Sequence, residues 1–188
     1  SLHRDPRGEV WLGTRAELAR LRGERIEADP ALAPLSAAQI TSFADDGDAL
    51  WIGSLEGLWR HSDGTLQRFG AAAGSPESRV RSLLRQDDGS LLVGTEGGLR
   101  RLRGEHWDSP DWAAVVEGSF VSSLRPLPGG ALLLTTLDKG IALYRDGALQ
   151  LFGLADGLPS ANGWTSDLVG SHVYVSTNDG AYRLPLAR

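Results

Sequence analysis

Residues 40–60, ITSFADDGDALWIGSLEGLWR, contain the pattern that decides the fold. Short apolar runs alternate there with Asp-Gly and Glu-Gly pairs, which is typical of β-strands joined by tight turns. Residues 65–69 add a further run of the same kind after a second Asp-Gly turn. The pattern predicts a four-stranded antiparallel meander with strands at Ile40–Ala44, Ala49–Gly53, Gly57–His61 and Thr65–Phe69.

The same pattern recurs along the whole chain of 188 residues. A Thr or Ser directly follows the predicted second strand of each copy, and these five positions are 40, 41, 41 and 41 residues apart: Thr14, Ser54, Thr95, Thr136 and Thr177. A period of this length indicates a repeat architecture in which each copy is one structural unit. We expect one repeat region over residues 1–188 with units 1–38, 39–78, 79–119, 120–162 and 163–188, the last one lacking its outer strand.

Apolar residues stand side by side in the second strands, as in Leu50-Trp51-Ile52 and Leu91-Leu92-Val93. Consecutive apolar residues indicate that both faces of the sheet are covered, so the sheets stack on one another. Four short strands per unit and face-to-face stacking predict an all-β fold, a β-propeller with antiparallel blades of about 41 residues. A parallel β-helix fits worse, because its rungs are shorter. An arc of a larger propeller and a five-unit ring with one short blade both remain open.

Several recurring residues are expected to serve packing and turns. The glycines that end second strands, such as Gly53 and Gly94, leave room for a neighbouring chain segment. Trp11 and Trp51 share one strand position and are predicted core residues of their blades. The stretch Asp45-Asp46-Gly47-Asp48 comes nearest to a calcium loop, but Asp-Gly pairs form tight turns without any ligand, so we predict no metal site.

Residues that break the repeat are the better candidates for ligand binding, because a scaffold repeats what packing needs. Loops between the second and third strands are expected to form a largely acidic rim. These residues are either solvated turn residues or the mouth of a site for a cation or a polar small molecule. That rim contains Glu56, Glu96, Asp138, Lys139, Asn178 and Asp179. Loops that enter the first strands share the same propeller face. They carry Arg79, Trp112, Phe120, Asn162 and Trp164. An exposed Trp side chain beside Asn can stack on a sugar ring. Alternatively, these aromatic side chains fill the wedge-shaped space between neighbouring blades.

Composition and motifs exclude several classes of function. A net charge of -5 argues against nucleic acid as a partner, since phosphate binding needs a cationic surface. The chain has no Cys, which excludes disulfides and thiolate chemistry, and its apolar runs are far shorter than a membrane span. It has no Met either, so we expect it to be a piece of a longer protein that meets a membrane only through other segments.

Catalysis receives little support from the residues. The four histidines fall at different repeat positions: His3, His61, His106 and His172. No Ser lies in a Gly-x-Ser-x-Gly elbow and no His-Glu-x-x-His metal motif occurs. We therefore predict a non-enzymatic protein with no catalytic residues and no cofactor.

The repeat resembles the two-component regulator propeller repeat. The resemblance rests on segments such as Leu50-Trp51-Ile52-Gly53-Ser54 and on the linker Gly157-Leu158-Pro159-Ser160, and it covers nearly the whole chain. Thr135 and Ser176 depart from it, because the family has Gly at these positions. The resemblance transfers no catalytic residue.

This resemblance implies a ligand-sensing input module in the periplasm. Such modules belong to membrane-anchored hybrid histidine kinases or diguanylate cyclases, often sense oligosaccharides or other small molecules, and self-associate in the full receptor. A structural or dimerisation propeller is the first alternative. Streptogramin lyases, whose propeller repeats have a similar length, are the enzymatic one.

Overall fold

A computed structural model of the chain describes residues 1–15, 17–70, 75 and 79–185. Within them the strands form five antiparallel sheets, four with four strands and the last with three. The predicted unit boundary at residue 78 and residues 186–188 of the last unit lie outside the described residues. The all-β propeller predicted from the repeat is confirmed, including the three-stranded fifth blade.

Each blade places its strands side by side in chain order. The first two blades contain β1 (Leu2–Arg4), β2 (Val10–Gly13), β3 (Leu18–Arg22) and β4 (Arg25–Ala28), then β5 (Ile40–Asp46), β6 (Ala49–Ser54), β7 (Gly57–Ser62) and β8 (Thr65–Phe69). The third blade contains β9 (Val80–Arg85), β10 (Leu91–Thr95), β11 (Gly98–Arg103) and β12 (His106–Asp108). The last two contain β13 (Val121–Pro126), β14 (Leu132–Thr136), β15 (Ile141–Arg145) and β16 (Ala148–Phe152), then β17 (Gly163–Val169), β18 (His172–Thr177) and β19 (Gly180–Pro185).

Helical structure is confined to short 3₁₀ turns in the described residues. Two of them connect blades, at Pro30–Leu35 and Asp111–Val116, and they bury Leu35 and Val116 completely. Two single turns lie at Pro128–Gly130 and Leu154–Asp156. No helix among the described residues has the length and apolar character needed to cross a bilayer.

The recurring Thr or Ser at the end of the second strand closes the next hairpin. Its hydroxyl donates to the carbonyl oxygen at the start of the third strand, at 3.0 Å from Ser54 to Gly57 and 2.9 Å from Thr95 to Gly98. Gly57 and Gly98 have φ values of +123° and +120°, which side chains rarely adopt. The Ser/Thr-x-x-Gly spacing therefore specifies the turn in the second, third and fifth blades, whereas Thr14 bonds Glu17 and Thr136 bonds Gly140.

The blades pack face to face, as the side-by-side apolar residues predicted. Leu50 and Ile52 belong to a cluster with Trp11 and Ile40, between the first and second blades. Trp51 points the other way, into a cluster with residues of the third blade. Trp11 and Trp51 are 3% and 6% exposed, which confirms both as blade-core residues.

A small residue is required on one side of each blade boundary. A Cβ built at Gly13 would lie 2.6 Å from Ile40, and one at Gly53 would lie 2.7 Å from Val80. Such distances are far inside van der Waals contact, so the predicted packing role of these glycines is confirmed. At the last boundary the sizes are exchanged: Thr135 replaces the glycine, and Gly163 replaces the Ile or Val.

His61 makes the stability of the boundary between the first two blades depend on pH. Its Nε2 atom is buried without a partner among the described residues, beside the Trp11 ring. Burial lowers the pKa of His61 from its ordinary value of 6.5, and the charge of Arg20 lowers it further. The unfolded chain therefore binds this proton more readily, so the free energy of unfolding falls as the pH drops below about 6.5.

We expect His61→Gln to reduce this acid sensitivity, because the substituted side chain does not titrate. Urea unfolding between about pH 7.5 and about pH 5.5 measures the effect. His106→Gln is the control, since His106 is exposed. Equal pH dependence of the original chain and His61→Gln would contradict the assignment.

Candidate functional site

The first strands of the second to fifth blades each contain a β-bulge near their start. The register shifts leave one extra residue in each strand, and these residues are Thr41, Arg81, Ser122 and Trp164. A bulge frees a residue from the ladder and turns its side chain in a new direction. All four extra residues line one axial cavity of about 370 Å³, to which the first strands of all five blades contribute. We call this the axial cavity.

The axial cavity is lined mainly by hydroxyl groups. They come from equivalent positions of successive blades, namely Thr41, Ser42, Ser82, Ser122, Ser123 and Thr165. Some of these hydroxyls also hold neighbouring blades together: Ser122 donates to the carbonyl oxygen of Gly163 at 2.7 Å, and Thr41 donates to that of Val80 at 3.0 Å. A group bound in this cavity would therefore touch the same strands that hold the blades in register.

Trp164 presents an indole ring at the edge of the axial cavity. The side chain is 46% exposed, which is unusual for Trp. Its Nε1 atom donates to Oδ1 of Asn178 at 2.6 Å, so the ring is held in one orientation. An exposed aromatic ring that a hydrogen bond fixes is a preorganised stacking surface.

Arg81 is held from two sides at the same end of the cavity. Its guanidinium group donates to the Glu96 carboxylate, with Nε at 3.0 Å from Oε1, and lies 4.7 Å from the centre of the Phe120 ring. Both the ion pair and the cation–π contact keep the positive charge in place. Glu96 and Phe120 thus act on the cavity through Arg81.

Two further basic side chains line the cavity. Arg125 is exposed, and its Nε atom donates to the carbonyl oxygen of Ser166 at 3.2 Å. His3 lies with its Nε2 atom 2.8 Å from Oδ1 of Asp45 and stacks on Phe43 at 5.6 Å between ring centres. His3 is the histidine found among the described lining residues, whereas His61 lies between the first two blades.

The eleven predicted ligand residues occupy one end of the propeller but do not converge on one point. Backbone hydrogen bonds join the two loop classes, since Glu96 N donates to Arg79 O at 3.2 Å and Leu137 N donates to Phe120 O at 3.1 Å. Trp164 alone of the eleven lines the axial cavity, and three others support its lining: Glu96, Phe120 and Asn178. Five are exposed outside the cavity, namely Glu56, Arg79, Asp138, Asn162 and Asp179.

The last two predicted residues make packing contacts. Trp112 stacks on Tyr144 at 4.3 Å between ring centres, which is the wedge-filling role that the sequence left as the alternative. Lys139 extends along the surface, and its Nζ atom donates to the carbonyl oxygen of Val115 at 2.9 Å. A role in ligand binding stays a prediction for every residue of this set.

Sequence reasoning missed Thr41, Arg81, Ser122 and Arg125. The first three could have been found from one repeat position, the second residue of each first strand. This residue varies among Thr, Arg, Ser and Trp, whereas its neighbours follow the repeat. The bulges do not disturb the repeat length, because each of the last four copies contains one. In the sequence, these residues therefore looked like ordinary strand residues.

The acidic stretch 45–48 binds cationic side chains. Asp45 pairs with His3, Asp46 with Arg60 and Arg85, and Asp48 with Arg7. Burial raises the pKa of Asp46, but the hydrogen bonds and charges of Arg85 and Arg60 outweigh it and leave that pKa below its ordinary value. Across the described ranges no group of three or more His, Asp or Glu side chains is arranged to hold a metal ion.

Comparison with known proteins identifies the fold. No family model matches the sequence, and no curated protein matches it significantly. The structure is similar to the extracellular domain of the hybrid two component system BT3049 from B. thetaiotaomicron, with a TM-score of 0.81 and 17% identity over 100% of this chain and 26% of that chain. It is similar to the extracellular domain of the one component system BT4673 from the same organism, with a TM-score of 0.73 and 19% identity over 94% of this chain and 26% of that chain.

Virginiamycin B lyase from Staphylococcus aureus, in a catalytically inactive form with quinupristin, is a third similar structure. Its TM-score is 0.76, with 13% identity over 96% of this chain and 63% of that chain. The chain thus spans about a quarter of the length of the two extracellular domains and less than two thirds of the lyase. At these identities the comparisons establish the β-propeller fold, which the two extracellular domains share with the lyase.

Proposed function

We propose that the chain is a ligand-sensing propeller of an extracytoplasmic receptor and that it binds an oligosaccharide at the axial cavity. The observation that carries the proposal is Trp164, an exposed indole ring fixed by Asn178 above a cavity lined with hydroxyl groups. A sugar ring offers a flat apolar face for the indole and hydroxyls for the polar lining. The cavity of about 370 Å³ is in the size range of small-molecule sites.

The position of the cavity suits a sensor. The residues that line it come from all five blades, and several of them also hold blade boundaries. A ligand that contacts several first strands favours one arrangement of the blades, and only such differential affinity can shift a receptor between two states. Similarity to extracellular domains of a two component and a one component system supports the extracytoplasmic location. A histidine kinase or diguanylate cyclase output is part of the proposal and rests on the resemblance of the repeat.

A structural or dimerisation propeller is the second candidate, and the first blade favours it. Leu2 and Ile26 are 70% and 66% exposed on the face of this blade that no described blade covers. Exposed apolar side chains on one sheet face mark an association surface. Sedimentation velocity tests this candidate, because a scaffold propeller forms dimers without any sugar, whereas a strict monomer would contradict it.

The lyase similarity does not extend to a catalytic cluster in the described residues. His3 and its partner Asp45 stand without a second histidine in the axial cavity. We therefore propose a binding role and no reaction.

Trp164→Ala is expected to weaken oligosaccharide binding about tenfold, because the stacking surface is lost. Calorimetric titration with the best ligand of an oligosaccharide thermal-shift screen measures the change. Tyr174→Ala is the matched control, since Tyr174 is a 40% exposed aromatic residue of the same blade outside the cavity. Equal losses in both variants, or a screen in which no sugar raises the unfolding temperature, would refute binding at the axial cavity.

A further inference from the structure

The charge of the axial cavity is opposite to that of the chain. The chain carries a net charge of -5, yet no described residue that lines the cavity is Asp or Glu. The lining does contain three basic side chains, namely His3, Arg81 and Arg125. The described lining of the cavity is therefore basic, although the chain as a whole is acidic.

Two of these basic side chains already have an acidic partner. Arg81 binds Glu96, and His3 binds Asp45, so each already has a carboxylate beside it that competes with an anionic ligand. The same is true of the arginines on other strands, such as Arg60 with Asp46 and Arg101 with Asp108. A charge balanced in this way contributes little to binding of an anion.

Arg125 differs from the other two. It is exposed to the cavity and binds only the carbonyl oxygen of Ser166, through Nε, with no carboxylate partner in the described part of the chain. This contact fixes the guanidinium group but leaves both terminal nitrogens free. Two parallel N–H donors match the two oxygens of a carboxylate or the oxygens of a sulfate ester.

We propose that the ligand of the axial cavity is an acidic oligosaccharide, whose carboxylate or sulfate group binds the guanidinium group of Arg125. This inference rests on the proposed function, because it names the ligand class of the same site. Trp164 stacks on a sugar ring, the hydroxyl lining binds the sugar hydroxyls, and Arg125 binds the anionic group. Because Arg125 is the arginine of the described lining that has no carboxylate partner, we expect specificity for acidic sugars to depend on this side chain.

The test compares a sugar with its uncharged ester. Trigalacturonic acid, its trimethyl ester and a sulfated galactose trisaccharide are titrated by calorimetry into the full chain and into Arg125→Gln. We expect the acid to bind at least about tenfold more tightly than the ester, and Arg125→Gln to remove this difference by weakening the binding of the acid much more than that of the ester. Arg145→Gln, which removes an arginine of the same blade outside the axial cavity, should retain the preference.

Each outcome has one meaning. Tighter binding of the sulfated sugar than of the carboxylate, lost in Arg125→Gln, supports the proposal with sulfate as the group bound. Equal affinity for acid and ester overturns the acidic ligand but leaves the proposed function standing. A preference for acid that survives Arg125→Gln overturns the role of Arg125. Failure of all three sugars to bind the full chain, although it unfolds cooperatively in urea, overturns the acidic ligand, and the oligosaccharide screen then decides the proposed function.

Discussion

Gly163→Val is expected to lower the free energy of unfolding by about 3 kcal/mol, although Val occupies the same repeat position in other blades. A Cβ at Gly163 would overlap the Thr135 methyl group and lie 3.3 Å from the Thr136 carbonyl oxygen. The φ angle of Gly163 is not in the left-handed region, so the restriction is steric. Urea unfolding followed by circular dichroism measures the loss.

Thr135→Gly should rescue this variant in part. The double variant places Gly at position 135 and Val at position 163. This is the same combination of a small and a large residue that Gly94 and Val121 form at the boundary between the third and fourth blades. Thr135→Gly alone loses the hydrogen bond between the hydroxyls of Thr135 and Ser166, at 2.6 Å, and leaves a gap. We expect the double variant to be at least about 2 kcal/mol more stable than the sum of the two single changes predicts. If the two changes in the free energy of unfolding were additive, the side chains at positions 135 and 163 would not pack against each other.

Asp46→Asn is expected to lower the free energy of unfolding by about 2 kcal/mol, between the values typical of exposed and of buried ion pairs. Asp46 joins Arg60 of its own blade to Arg85 of the next, with a 3.0 Å and a 2.7 Å ion pair. Its side chain is only 19% exposed, so both arginines lose a desolvated partner at once. The equivalent residue of the first blade, Asp5, instead accepts a hydrogen bond from Trp11.

Asp48→Asn is the matched control for this substitution. Asp48 pairs with Arg7, and the two side chains are 89% and 59% exposed. The same chemical change should cost less than about 0.5 kcal/mol there, because water replaces the lost partner. If both substitutions had equal effects in urea unfolding, Asp46 would not link the second and third blades.

Much of the propeller could be predicted because its rules are local and repeated. Hydrophobic side chains on both faces of Leu50-Trp51-Ile52 require stacked sheets, and the hydroxyl of Ser54 or Thr95 fixes the turn that follows. Because the chain contains five copies of the repeat, each copy supported the strand assignment of the others. The three-stranded last blade followed from the same count.

The candidate site could be predicted only in part, because it depends on long-range geometry. Trp164 stood out as an aromatic break in the repeat, and Asn178 as a polar loop residue. Arg81 and Arg125 belong to ordinary strands in sequence, and only the bulge and the convergence of five first strands bring them to the axis. Trp112 looked equivalent to Trp164, but Tyr144 of the next blade covers it.

Fluorine NMR of the chain labelled with 5-fluorotryptophan tests ligand binding at the axial cavity most directly. The chain has six tryptophans, and Trp164→Phe identifies the resonance of the exposed one. On titration with trigalacturonic acid we predict that the Trp164 resonance shifts first and furthest, while those of buried Trp11 and Trp51 stay in place. A ligand that shifts other tryptophans and leaves Trp164 unchanged would contradict the account.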